Sequence, residues 1–71
     1  MTPDLAAYHA AVVEAKNAHP TWRWGQAAYN TLRVMRPGLA LKVQATDNDP
    51  FWQKQIRARF WTWVTEHWED A

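Results

Sequence analysis

The sequence predicts an all-α fold, a small bundle of three main helices with a short helix or turn before the last of them. Three observations carry this expectation. Apolar residues recur at spacings of three and four along most of the chain, the period of an amphipathic helix. Breaks at His19-Pro20, at Pro37-Gly38 and at the polar run Thr46-Asp47-Asn48-Asp49 cut that period into segments of helical length. Residues able to cap a helix, Thr2, Thr21 and Asn48 or Asp49, stand ahead of the three long segments.

The first helix is expected over residues 3–18. Thr2-Pro3-Asp4 supplies an N-cap, a proline at the first helical position and an acid in the first turn. Leu5, Tyr8, Val12 and Ala15 then form one apolar stripe, and His19 is pushed out of helical geometry by Pro20. Thr21 is read as the cap of a second helix over residues 22–36. On it Gly25, Ala28, Tyr29, Leu32 and Arg36 share a face whose small residues admit a neighbouring helix. The opposite face, with Arg23, Gln26, Ala27, Asn30 and Val34, is polar but nearly uncharged, unlike a solvated face of Lys and Glu. A short element over residues 39–44 follows the Pro37-Gly38 break. The last helix is expected over residues 50–68, with Pro50 in its first turn. Together these make a single helical domain, residues 1–71.

The last segment is where the aromatic residues collect. Four of the six tryptophans, Trp52, Trp61, Trp63 and Trp68, lie there with Phe51, Ile56, Phe60 and Val64. Helical phase puts Trp52, Ile56, Phe60, Trp63 and Val64 towards the core and leaves Trp61 and Trp68 as a second stripe beside Lys54 and Arg57. An apolar arc of about 180° exceeds the roughly 100° that a surface helix needs. Either this is the most buried helix of the bundle, or Trp61, Trp68 and Arg57 belong to an interface, since Trp and Arg dominate binding hot spots.

Composition narrows the alternatives. A chain of 71 residues is small enough to bury only about 60% of the surface its unfolded form exposes. The sequence has no cysteine, so neither a disulfide nor a Cys/His zinc site supports it, and His9, His19 and His67 are scattered. Large aromatic side chains and oligomerisation remain as sources of stability. Eight Lys and Arg against seven Asp and Glu give a formal charge of +1, too balanced for the phosphate neutralisation that drives non-specific nucleic-acid binding. No apolar run reaches the roughly 20 residues of a membrane span, and no signal-peptide core precedes the first helix, so a cytoplasmic protein is expected. Asp47 and Asp49 lack the glycine and terminal glutamate of a calcium loop. The histidines have no nucleophile at a recognisable spacing. The residues therefore point to no enzyme class and to no cofactor.

A resemblance adds to this reading. The string His19-Pro20-Thr21-Trp22-Arg23-Trp24-Gly25-Gln26 is followed in order by Asn30 and Leu32, Arg36-Pro37 with Leu39-Ala40, and Thr46-Asp47 with Asp49-Pro50-Phe51. Phe60, Trp63-Val64 and Trp68 complete the pattern. This resembles a set of short, uncharacterised proteins of tailed phages and prophages, over about residues 19 to 68. Trp52 departs from it where tyrosine is frequent, and Leu41-Lys42-Val43 replaces a more polar stretch. The resemblance implies a phage or prophage accessory protein and brings no mechanism with it.

The expected function is thus non-catalytic binding, most simply modulation of a host protein, plausibly one of host defence. Two surfaces are candidates: Arg57 with Trp61 and Trp68, and the Arg23-Gln26-Asn30 face. Two other classes stay open. One is an oligomeric binder of a small anion or of nucleic acid through Arg23, Arg33 and Arg36. The other is a structural protein whose tryptophans are consumed by self-assembly.

Overall fold

The computed structural model describes residues 3–70, and within them the fold is all-α, with no strand. Four helices follow in order: α1 Pro3–Ala18, α2 Trp24–Met35, α3 Pro37–Val43 and α4 Ala58–His67, the last running into a 3-10 turn at Trp68–Asp70. The expected cap at Thr2 lies outside the described residues.

α1 occupies the expected span and buries the expected stripe, Leu5, Tyr8 and Val12. It packs on α2, and the two are pinned by the buried Tyr8 hydroxyl, which donates to the Ala28 carbonyl at 2.7 Å. Burial pushes the Tyr8 phenol far above its ordinary value, so it stays a donor throughout any accessible pH. α2 ends at Met35. Arg36, at φ −142° and ψ 73°, is the whole break, and Pro37 starts α3 at its first position. The short element therefore begins two residues earlier than expected. Leu39, Ala40 and Val43 of α3, Phe60 and Val64 of α4, and Trp68 close the core against Leu5, Tyr8, Val12, Ala27, Ala28 and Leu32.

The largest departure lies between α3 and α4. Residues 50–57 are not the start of a helix but a folded turn, and α4 begins only at Ala58. The reason is found at the N-terminus of α2, against which this segment packs. The first backbone N–H groups of a helix lack partners within it, and Thr21, the expected cap, does not supply one. Instead Trp24 and Gly25 donate their N–H groups to the carbonyls of Lys54 and Gln53, at 3.2 and 3.1 Å. Capping α2 in this way requires residues 53 and 54 to leave helical geometry. It also requires Gly25: a Cβ there would overlap the Pro50 carbonyl oxygen and lie 2.6 Å from that of Gln53. Of the two small residues expected to admit a neighbouring helix, Gly25 admits the 50–53 turn instead, while Ala28 is buried where α1 packs and its carbonyl accepts from Tyr8.

Neither Asn48 nor Asp49 caps α4. Asp49 organises the preceding loop, accepting from the Ala45 N–H at 2.7 Å and from the Phe51 N–H at 3.0 Å, while Asn48 accepts from Arg59 at 3.0 Å. Thr46 adds a bond from its hydroxyl to the Val43 carbonyl at 2.7 Å. The chain leaves α3 through Ala45 at φ 61°, a left-handed conformation that strains any residue with a Cβ. Ala45→Gly is therefore expected to stabilise the fold by about 0.5 to 1 kcal/mol, read as a rise in the urea midpoint at unchanged slope. An unchanged or lower midpoint would show that the Asp49 bond to Ala45, not the φ angle, controls this turn.

Candidate functional site

Arg23 ends up as the N-cap of α2 and not on its outer face. Its Nε donates to the Phe51 carbonyl at 3.2 Å, and its guanidinium lies 5.3 Å from the Phe51 ring centre and 5.0 Å from that of Trp52. The same turn that caps α2 therefore delivers two aromatic rings onto one cation. Trp52 is 77% exposed, because a turn at residues 50–57 replaces the helical phase that would have directed it to the core. It is held in place nonetheless. Its ring meets Phe51 edge-to-face at 4.9 Å, and Phe51 in turn meets Tyr29 at 5.6 Å and 85°. Asp49 fixes the Phe51 backbone, and the Gln53 side chain donates back to the Asp49 carbonyl at 3.2 Å.

These rings border a groove of about 490 Å³ between α2 and the 44–52 loop, lined by Tyr29, Gln44, Thr46, Asp49, Phe51 and Trp52. The Tyr29 hydroxyl donates to Gln44 Oε1 at 3.3 Å across it. Trp52 also borders a second groove, of about 470 Å³, with Gln53, Lys54, Gln55 and Arg57.

The three residues of the interface expected on α4 are not brought together on one surface. Trp68 is only 2% exposed and packs on Tyr8 at 5.4 Å, so it is a core residue and cannot pair with Trp61 on a surface. The guanidinium over it, at 4.7 Å, is that of Arg36, not of Arg57. Trp61 is half-buried, stacked on His9 at 4.2 Å and in edge contact with Tyr8 and Phe60. Burial lowers the His9 pKa, which favours the neutral imidazole against that indole. Arg57 is exposed at the start of α4, its N–H donated to Gln53 Oε1 at 3.2 Å. Of the three, Arg57 alone adjoins Trp52.

Gln26 and Asn30 are both half-buried. Asn30 faces a separate, mostly apolar groove between α1 and α2, with Ala11, Ala15, Trp22, Val34 and Met35. The Arg23-Gln26-Asn30 face is thus divided between two surfaces. Nor does the chain bring Arg23, Arg33 and Arg36 together. Arg23 and Arg36 flank opposite ends of α2, about 20 Å apart along its axis at 1.5 Å per residue. Arg36 is already bonded to Asp4 at 3.3 Å, and Arg33 is exposed beside Tyr29, Pro37 and Leu41. Among the described residues no three His, Asp or Glu side chains are grouped to hold a metal ion, and no helix is long and apolar enough to cross a membrane.

No family model, curated protein or solved structure matches this chain.

Proposed function

We propose that this chain is a non-catalytic binding protein whose contact surface is centred on Trp52, with Arg23 and Phe51 supporting it and Arg57 at its edge. The observation that carries this reading is the 77% exposure of an indole held in a fixed orientation. A free Trp side chain offers on the order of 150 to 250 Å² of surface for burial. Pre-orientation lowers the entropy lost when it docks. Trp and Arg together are also the residue types that dominate hot spots. The resemblance to phage and prophage proteins directs the reading towards a host protein as the partner, with inhibition or modulation as the outcome.

Trp52→Ala separates binding from folding. Because Trp52 closes no part of the core, its removal is expected to change stability by no more than about 0.5 kcal/mol. Binding is expected to weaken by about 30-fold or more, the effect of losing a hot spot of about 2 kcal/mol. The measurement starts from proteins of a host lysate retained by the wild type and lost by the variant. Titration of the purified partner against both forms by calorimetry completes it. A partner that binds both forms equally would remove Trp52 from the contact surface.

A further inference from the structure

We infer that the groove bordered by Tyr29, Phe51 and Trp52 is an aromatic cage for an organic cation, a guanidinium or an alkylated ammonium. The inference rests on the reading of Trp52 as the contact residue and names what the partner presents to it. Three observations support it independently of any partner.

The first is the arrangement of the rings. Tyr29 meets Phe51 at 85°, and Phe51 meets Trp52 at 84°, with centre separations of 5.6 and 4.9 Å. Successive rings at right angles are not a flat stack, so the groove that all three line is bordered by aromatic rings in different orientations. Ring faces carry the negative part of the aromatic quadrupole and attract cations. A neutral apolar group gains contact area there but none of this electrostatic attraction.

The second is the charge of the lining. Asp49 is the one formally charged residue among the groove's lining side chains, and it is an acid. Its two oxygens each accept one backbone N–H, from Ala45 and from Phe51, which holds the carboxylate in place. Each oxygen keeps a further lone pair. Gln44 and Thr46 add neutral polar atoms at the rim. The combination of aromatic walls with one carboxylate suits a large, weakly hydrated cation better than an anion or a hydrophobe.

The third is that a cation already uses two of these rings. Arg23 lies 5.3 Å from Phe51 and 5.0 Å from Trp52 but does not line the groove. The protein therefore recognises a guanidinium with these same side chains within its own chain. The volume of about 490 Å³ falls in the range of small-molecule sites, about 300 to 1,000 Å³.

The test uses the folded full chain with two pairs of probes of matched shape. Choline is compared with neutral 3,3-dimethylbutanol, and N-acetylarginine amide with neutral N-acetylcitrulline amide. Binding is followed by the upfield ring-current shift of the probe's protons and by amide shifts of residues 44–52. Both cations are expected to bind, each at least about fivefold more tightly than its neutral partner, the effect of one cation–π contact of about 1 kcal/mol. Trp52→Ala is expected to abolish that preference and Trp52→Phe to keep part of it, with helicity unchanged in both. A tighter arginine arm would assign the site to a partner's side chain, and a tighter choline arm to a free ammonium ligand. Equal affinity for charged and neutral probes, absence of binding, or a preference that survives Trp52→Ala would overturn the inference. A partner protein whose binding ignores Trp52 would refute the contact surface instead, so the two readings fail separately.

Discussion

Gly25→Ala is expected to destabilise the protein by about 2 to 5 kcal/mol, although alanine is the better helix former. Position 25 is the second residue of α2. Helix propensity alone would make the substitution favourable by up to about 1 kcal/mol. Against this, the new methyl group would overlap the Pro50 carbonyl oxygen and lie 2.6 Å from Gln53 O and 2.9 Å from Pro50 C. These are backbone atoms, so no rotamer change relieves the clash. The 50–54 turn must move away, and the bonds from Trp24 and Gly25 to Lys54 and Gln53 go with it. Overpacking of about 1 to 3 kcal/mol and two hydrogen bonds of about 1 kcal/mol each, less the propensity gain of up to about 1 kcal/mol, give the stated loss. Measured against a total stability of about 4 to 11 kcal/mol for a chain of this size, the variant should be partly unfolded at physiological temperature. Thermal unfolding followed by circular dichroism reads the effect directly. Displacement of the turn also removes Trp52 from Arg23, so binding should fall along with stability. A variant as stable as the wild type would mean that the turn does not depend on a close approach to α2.

The outcome at Gly25 bears on what the sequence makes legible. α1 is readable to the residue because its signals are local: a proline and an acid at the start, a three-and-four apolar stripe, and Pro20 beyond the end. The same holds for the break at Pro37 and for the core positions Leu32, Phe60 and Val64. The segment from Pro50 to Arg57 is different. Its residues have no strong helix breaker after Pro50, and a helical phase drawn through Trp52, Ile56 and Phe60 is self-consistent. What overrides it is a long-range need, two uncapped N–H groups of α2 that only carbonyls from this segment satisfy. Propensity yields to tertiary context there. The candidate site is hidden with it: helical phase directs Trp52 to the core and leaves Trp68 open between the core and an interface, whereas Trp52 is exposed and Trp68 buried. One local signal did point the right way. Asp49-Pro50-Phe51 has the composition of an Asx turn, in which an acid accepts the N–H two residues on, and read that way it starts a turn instead of a helix.

Trp68→Ala tests the other half of that exchange, and it is expected to cost about 3 to 5 kcal/mol, the usual loss for removing a buried Trp or Phe side chain. The indole is 2% exposed, lies 5.4 Å from the Tyr8 ring and carries the Arg36 guanidinium 4.7 Å above it. Truncation opens a cavity beside Tyr8, which links α1 to α2 through Ala28, and leaves Arg36 with Asp4 as its remaining ionic partner. Trp68→Phe should lose much less. It retains a ring at this position and removes the indole Nε1, a buried donor without a partner among the described residues, whose burial is itself unfavourable by about 1 to 3 kcal/mol. The two roles available to this tryptophan differ in their concentration dependence. A core residue lowers the urea midpoint equally at all protein concentrations. An interface residue lowers the solution mass, and its effect on the midpoint grows with concentration because assembly stabilises by mass action. Unfolding curves for Trp68→Ala at two concentrations, with light scattering on the same samples, separate them. A lowered midpoint independent of concentration is the expected result, whereas a reduced mass with a midpoint loss that grows with concentration would place Trp68 in an interface. Trp52→Ala, measured in the same way, should show neither change, because that indole is exposed and lies outside the buried core.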